Sequence, residues 1–101
     1  MFLDKELECV ITYNDWKCTD VMMRPDVVPR EDWEWRKKYI GLVGRFYLSA
    51  LDSRPDDVVV IFADDESNRG FRTAACGIEI DGAGCLKMTT INSIYKFERV
   101  L

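Results

Sequence analysis

A short apolar run near the middle of the chain constrains its fold more than any other feature. The sequence DDVVVIFADDES, residues 56–67, places Val58 to Phe62 between two pairs of acidic residues. So short a run cannot form a stable helix, and most of its residues are β-branched, which favours an extended backbone. We therefore expect a β-strand here, buried on both faces as in the interior of a sheet.

Short extended segments and turn signals fill the chain after this run. ADDESNRG, residues 63–70, is typical of a turn, and the segment Phe71 to Ile80 that follows it is predicted to be a strand. DGAG, residues 81–84, is typical of a tight hairpin turn. CLKMTTI, residues 85–91, predicts a further strand, and apolar and polar residues alternate over residues 94–100. These patterns predict a meander of antiparallel strands.

The first half of the chain gives weaker signals. LECVITY, Leu7 to Tyr13, is interpreted as a strand that ends at Asn14-Asp15. DVMMRP, Asp20 to Pro25, is interpreted as a second strand, closed by a proline that cannot continue a central ladder.

YIGLVGRFYL, residues 39–48, fits either a strand or part of a helix over residues 30–52. Gly41 and Gly44 would each cost such a helix about 1 kcal/mol relative to alanine, and the aromatic and β-branched content favours a strand. As a strand, the segment has two faces of different residues: Ile40, Leu42, Phe46 and Leu48 on one, and Tyr39, Val43, Arg45 and Tyr47 on the other.

Three segments resemble parts of SH3-like barrels. The first strand of these barrels often ends at Arg-Pro, as here at Arg24-Pro25, and a G-x-x-G stretch such as Gly41 to Gly44 opens the second. TTINSIYKFERV, residues 89–100, resembles the final turn and closing strand. The resemblance spans residues 20–101 and implies a fold, but no activity, because such folds host many functions.

The predicted fold class is all-β and mainly antiparallel, a small SH3-like barrel with an extra N-terminal strand. The alternative is an α+β fold with a helix over residues 30–52 packed on an antiparallel sheet. With 101 residues and no linker-like tract, the chain is expected to form a single domain over residues 1–101.

The composition argues against most enzyme classes. The chain contains no histidine, which excludes Ser-His-Asp and Cys-His triads and histidine-containing metal centres. Cys76 and Cys85 both lie in apolar segments, and neither is near an activating base in the sequence. We expect a protein that is not an enzyme, with no catalytic residue, no metal, no cofactor and no small-molecule substrate.

The cysteines and the N-terminus indicate a cytoplasmic protein. Cys9, Cys18, Cys76 and Cys85 lack C-x-x-C spacing, so we interpret them as reduced, small core residues, with a zinc site or disulfides as alternatives. The first residues, MFLDKELECV, lack the basic and apolar regions of a secretion signal. No apolar stretch approaches the length of about 18 residues that a membrane span needs.

The net charge of −4 is concentrated in one segment. Residues 52–66 contain one base, Arg54, and a cluster of acidic residues: Asp52, Asp56, Asp57, Asp64, Asp65 and Glu66. The sequence contains neither the phosphate-binding loop that a Walker B strand would need nor an EF-hand loop. These acids are therefore interpreted as keeping the strand ends in solvent, or as a surface for a basic partner protein.

Aromatic and basic residues meet in DWEWRKKY, residues 32–39. In an extended loop, Trp33 and Trp35 would share one face, and tryptophan is enriched at binding hot spots. The alternatives are that one tryptophan covers the core while the other stacks under an arginine, or that both bind nucleic acid with Arg36, Lys37 and Lys38.

These features predict a non-enzymatic protein–protein interaction module. Its expected partner-binding residues are the six acids together with Trp33 and Trp35. Compact, acidic, histidine-free chains of this size resemble phage or mobile-element inhibitors such as anti-CRISPR proteins, which implies a basic nucleic-acid-handling partner. A nucleic-acid-binding barrel is the alternative, and no interaction with a membrane is expected.

Overall fold

A short helix and six antiparallel strands make up most of the computed structural model, which describes residues 5–26, 33–50 and 57–100. The side chains of residues 33, 34 and 50 are not among those described. The elements are α1 (Lys5–Thr12), β1 (Asp15–Met23), a 3₁₀ helix (Trp33–Tyr39), β2 (Val43–Ala50), β3 (Val58–Asp64), β4 (Arg69–Ile80), β5 (Leu86–Thr90) and β6 (Ser93–Val100).

The strands close into a barrel in which each is paired with its neighbours in chain order and β6 pairs back onto β1. All pairings are antiparallel, so the expected mainly antiparallel β fold is confirmed, and residues 43–50 form a strand rather than the helix of the alternative. The hairpin turns predicted at residues 63–70 and 81–84 join β3 to β4 and β4 to β5, the first of them occupying only residues 65–68 because the two strands extend further than predicted.

The prediction of a strand at Leu7 to Tyr13 is wrong, because this segment is mainly the helix α1. A strand would place Cys9 and Tyr13 on the same face as Ile11, yet both are exposed while Ile11 is fully buried. Leu7, Val10 and Ile11 instead form a helical stripe that packs on the core.

Helix α1 lies where the barrel is least closed by hydrogen bonds. Strands β1 and β2 pair only through Trp16↔Gly44 and Lys17↔Val43 among the described residues, and α1 contacts β2. The indole Nε1 of Trp16 donates a hydrogen bond of 2.9 Å to the carbonyl oxygen of Ile11, which fixes the end of the helix to the barrel.

The apolar run Val58 to Phe62 lies in strand β3, as predicted, but it is buried on one face only. Val58, Val60 and Phe62 are fully buried, whereas Val59 is half-buried and Ile61 is exposed. The prediction of burial on both faces is wrong because a closed barrel has one interior, so alternate residues of each strand face outward.

Aromatic rings fill the core in two linked groups. Phe46, Phe62 and Phe97 meet with ring centroids 4.8–4.9 Å apart. Phe71 joins them to Tyr95, on which it stacks at 4.8 Å. These ring contacts link β2, β3, β4 and β6 through the barrel interior.

The faces predicted for β2 are confirmed within the strand but wrong in the segment before it. Val43, Arg45 and Tyr47 are exposed, whereas Tyr39 is buried and Ile40 is exposed, the reverse of the prediction. The alternation of a strand does not apply to the last two, because the 3₁₀ helix ends at Tyr39 and turns its ring onto Phe71, 4.8 Å away.

All four cysteines are free, but only one is a core residue. Cys18 is buried, and its burial raises the pKa of the thiol to about 11. Cys9 and Cys76 are exposed and Cys85 is partly buried, so the prediction that the cysteines serve as core residues is correct for Cys18 alone.

Candidate protein-binding surface

The acidic cluster predicted from the sequence is divided between the two ends of β3. Asp57 precedes the strand, whereas Asp64, Asp65 and Glu66 end it or follow it. Seven extended residues separate the two groups by about 20 Å. Asp52 and Asp56 lie outside the described residues, so the surface is described from its Asp64 end.

Two glycines bring the neighbouring strands unusually close to β3 at this end. A Cβ atom on Gly44 of β2 would lie 2.5 Å from the carbonyl oxygen of Ala63, and one on Gly70 of β4 would overlap the carbonyl oxygen of Phe62. Backbone contact of this kind requires glycine on both sides of the strand. The acidic residues that follow Ala63 are therefore held by tightly packed backbone.

The carboxylate of Asp64 accepts hydrogen bonds from the turn that follows it. One carboxylate oxygen accepts a hydrogen bond of 2.6 Å from the hydroxyl of Ser67, and the other accepts one of 3.1 Å from the amide of Glu66. These bonds, the one from Ser67 first, lower the pKa of Asp64 from its usual value. Asp64 therefore builds the turn from β3 to β4 and is a poor choice for a contact residue.

Asp65 is held on the outside of the barrel by a tyrosine. The hydroxyl of Tyr47 donates a hydrogen bond of 2.7 Å to Oδ2 of Asp65. This bond is the main reason that the pKa of Tyr47 is raised, because the carboxylate stabilises the protonated hydroxyl. Tyr47 thus fixes the direction of one acid that the sequence leaves undefined.

A third contact adds an acid from another strand. Arg45 Nε donates to Oδ1 of Asp15 at 2.7 Å, and both side chains are largely exposed. A groove beside this pair brings together acidic residues from β1, from β3 and from the turn after it. We call these four residues the acidic rim: Asp15, Asp64, Asp65 and Glu66. Among the described residues, Arg45 is the one base that lines the groove.

Exposed apolar side chains lie directly beside the acidic rim. Val43, Tyr47 and Ile61 are 41%, 46% and 38% exposed, and we call them the outer apolar patch. Tyr47 and Ile61 are direct cross-strand partners, and Arg45 lies between Val43 and Tyr47 on the same face of β2. The ring of Tyr47 is part of the outer apolar patch, and its hydroxyl is hydrogen-bonded to Asp65 of the acidic rim.

The tryptophan segment differs from its prediction. It is a 3₁₀ helix rather than an extended loop, so the reason for placing Trp33 and Trp35 on one face does not apply. Trp35 is 45% exposed, with Arg36 Cζ 4.7 Å and Lys38 Nζ 5.2 Å from its ring centroid. Trp35 therefore stacks with an arginine, as one of the alternatives expected, while the side chain of Trp33 lies outside the described set.

Five residues of this surface were not expected to bind a partner: Asp15, Val43, Arg45, Tyr47 and Ile61. The alternation of β2 correctly placed Val43, Arg45 and Tyr47 on one face, which the structure shows to be the outer one. Nothing local in the sequence joins Asp15 to Arg45, because their contact follows from the register of β1 against β2.

Two absences apply to the part of the chain that the structure describes. No group of three or more acidic, cysteine or histidine side chains there is arranged to hold a metal ion. Asp64 and Asp65 in fact turn to different partners, Ser67 and Tyr47. No helix within the described ranges is long and apolar enough to cross a membrane.

Comparison with known proteins returns no relatives: no family model, no curated protein and no solved structure matches the chain. The acidic rim and the outer apolar patch are therefore the features of the molecule that bear on its function.

Proposed function

We propose that this chain is a non-enzymatic protein-binding module whose partner has a basic surface. The observation that carries the proposal is the contact between Tyr47 and Asp65, which joins the outer apolar patch to the acidic rim. Protein interfaces combine an apolar, often aromatic centre with a polar periphery, and tyrosine is common among their strongest contacts. Both parts are present here on neighbouring strands.

The charge of the surface defines the class of partner. Of the residues that the structure describes, four carboxylates and one guanidinium line the groove, in a protein whose net charge is −4. Such a field attracts a cationic surface, accelerates its association and disfavours nucleic acid phosphates. A protein with a basic, phosphate-binding channel has the complementary charge.

Rigid support for these groups favours binding. Asp65 is fixed by Tyr47 and Asp15 by Arg45, and the strands beneath them are held by the glycine contacts at Ala63. Groups that are already ordered lose less conformational entropy when they bind. The surface is therefore suited to a partner that meets it as a preformed face.

Within this class we propose a phage or mobile-element inhibitor, of the anti-CRISPR kind, that occupies a basic nucleic-acid channel. Its support is the small size, the acidity and the rim. The four free cysteines agree with a cytoplasmic location. An SH3-like barrel is part of the same proposal, supported by Arg24-Pro25 directly after β1.

The experiment begins with affinity capture from the native host, followed by titration of the purified partner identified by mass spectrometry. Asp65→Asn with Glu66→Gln removes two rim charges and leaves the turn residue Asp64 intact. Glu6→Gln with Glu79→Gln removes two exposed charges outside the rim. We expect the rim variant to lose about tenfold in affinity at low salt and the control less than about threefold. Equal losses in the two variants would contradict the proposal.

A second candidate is a nucleic-acid-binding barrel that uses Trp33, Trp35, Arg36, Lys37 and Lys38. The exposure of Trp35 beside three bases favours it. The positions of Arg36 and Lys38 over the Trp35 ring weaken it, because a stacking base would have to displace a cation. Titration with single-stranded oligonucleotides at low salt decides the matter: quenching of tryptophan fluorescence at micromolar concentration supports it, and its absence opposes it.

A further inference from the structure

Tyr47 presents an exposed aromatic ring beside a carboxylate. The residue is 46% exposed, and its hydroxyl donates to Oδ2 of Asp65 at 2.7 Å, so the carboxylate lies at the hydroxyl edge of the ring. Asp65 is itself exposed. The face of a tyrosine ring attracts cations, and a carboxylate at its edge adds to that attraction. Tyr47 and Asp65 together therefore favour a positively charged group.

The described aromatic residues of the 3₁₀ helix already have cations over their rings. Arg36 Cζ lies 4.7 Å and Lys38 Nζ 5.2 Å from the ring centroid of Trp35, and Lys38 Nζ is also 5.2 Å from that of Tyr39. Within the described part of the chain, no cation takes this position over Tyr47. A cation for the Tyr47 ring would therefore come from another molecule.

The bases on the same face of the sheet do not take that place. Arg45, two residues from Tyr47 along β2, donates through its Nε to Oδ1 of Asp15 at 2.7 Å, and this ion pair offsets its charge. Arg72 of β4 is the cross-strand partner of Ile61 and is exposed on the far side of it from Tyr47. Its charge directs an incoming cation away from β4 and toward Asp65.

An arginine side chain matches both parts of this surface. Its guanidinium is planar, stacks on aromatic rings and donates to carboxylates through a fork of N–H groups, whereas the ammonium of lysine is a compact and strongly hydrated charge. Its aliphatic stem packs on apolar surface. Val43 and Ile61, the other members of the outer apolar patch, are 41% and 38% exposed and offer contacts to that stem.

We infer that the outer apolar patch docks an arginine side chain of the partner protein, with the guanidinium stacked on the Tyr47 ring and hydrogen-bonded to Asp65. The inference rests on the proposed function for the existence of a basic partner, and it adds which side chain the surface selects. The occupant is an apolar segment that presents an arginine. Because every copy of this chain borders the patch with the acidic rim, charge complementarity favours such a segment over a second copy.

The test uses the whole ¹⁵N-labelled chain at low salt and two capped tripeptides of equal charge, Leu-Arg-Leu and Leu-Lys-Leu. We expect the arginine peptide to shift the amide signals of residues 45–47, 61 and 65–66 in a saturable way and to bind about two- to fivefold more tightly than the lysine peptide. Tyr47→Leu removes the ring and should abolish this preference. Tyr13→Leu removes another exposed ring and should leave the preference unchanged.

Two further variants separate a lost contact from misfolding. Tyr47→Phe keeps the ring and should keep the preference for arginine over lysine. Asp65→Asn removes the carboxylate at the edge of the ring and should weaken binding of the arginine peptide more than Glu79→Gln, which removes an exposed charge of β4 outside the rim. The amide spectrum of each variant without peptide shows whether it is folded.

The inference is overturned if the two peptides bind equally, if neither shifts the amides of the rim, or if Tyr47→Leu and Tyr13→Leu behave alike. Its failure is distinguishable from failure of the proposed function. Equal binding of the peptides, together with a captured basic partner that the rim variant weakens, would overturn the inference and leave the proposed function standing. A clear preference for arginine without any captured basic partner would support the inference and count against the proposed function.

Discussion

The two ends of β3 differ in whether their polar side chains are exposed or buried. At the acidic rim the charged side chains lie on the outside, and the feature that fixes them is the close backbone packing at Gly44 and Gly70. At the other end, where the turn between β5 and β6 lies, the side chains of Thr90 and Ser93 are themselves buried, and the Thr90 hydroxyl is hydrogen-bonded to the backbone of Ser93. Side chains should therefore matter for stability at this turn, whereas the space around the backbone should matter at the rim.

The largest expected effect is from adding a methyl group beneath the rim. Gly44→Ala would place a Cβ atom against the carbonyl oxygen of Ala63, and because both atoms belong to paired strands neither can move alone. We expect a loss of about 3 kcal/mol or more in the free energy of unfolding, at the upper end for overpacked sites. Urea denaturation measures it.

Gly82→Ala is the matched control, because nothing lies within 4 Å of a Cβ atom there. Its free energy of unfolding should change by less than about 0.5 kcal/mol. If Gly44→Ala were as stable as this control, the backbone contact at Ala63 would not be what supports the rim.

The next largest effect is expected at the turn between β5 and β6. Thr90→Val keeps the shape of the side chain but removes the oxygen that accepts from the buried amide of Ser93. Leaving that amide unsatisfied should cost about 1–3 kcal/mol in the free energy of unfolding. Thr89→Val makes the same change one residue away on a half-buried side chain and should cost less. A larger loss of stability for Thr89→Val than for Thr90→Val would mean that the hydrogen bond between Thr90 and the amide of Ser93 is not the one that stabilises this turn.

A smaller effect on stability is expected from removing Asp64, whose hydrogen bonds lie within the turn from β3 to β4. Its pKa is lowered in the folded chain, so the stabilisation is present above the usual pKa of an aspartate and is lost as the pH falls through the lowered value. Asp64→Ala should therefore lower the urea midpoint at neutral pH and flatten its decline in acid. Asp65→Ala leaves both hydrogen bonds of Asp64 in place and should lower the midpoint at neutral pH less. Denaturation of both variants across the acid range separates them.

Local signals predicted much of the second half of the chain. The turns at residues 65–68 and 81–84 contain the residue types that such turns require, and each lies between short β-type segments. The strands from β3 to β6 therefore follow in the predicted order. Antiparallel hairpins depend on residues close in sequence, which is why sequence patterns identify them well.

The errors fall where distant contacts decide the structure. Leu7, Val10 and Ile11 fit a helix as well as their segment fits a strand, and only packing against the barrel selects α1. The outward position of Ile61 depends on barrel closure, and the pairing of Asp15 with Arg45 depends on strand register. The acids at both ends of β3 were readable from the sequence, but the place of Asp15 beside those at the Asp64 end was not.

The smallest effect on stability should come from Tyr47, although it links the rim to the outer apolar patch. Tyr47→Phe keeps the exposed ring and removes only an exposed hydrogen bond, so the urea midpoint should stay unchanged while affinity for a captured partner falls. Asp65→Asn should lower the pKa of Tyr47, because the carboxylate that raises it is gone. Ultraviolet titration of tyrosinate, with Tyr47→Phe to identify the signal, measures that shift. A pKa that does not move would mean that Tyr47 and Asp65 act separately, and the rim and the patch would then be two surfaces rather than one.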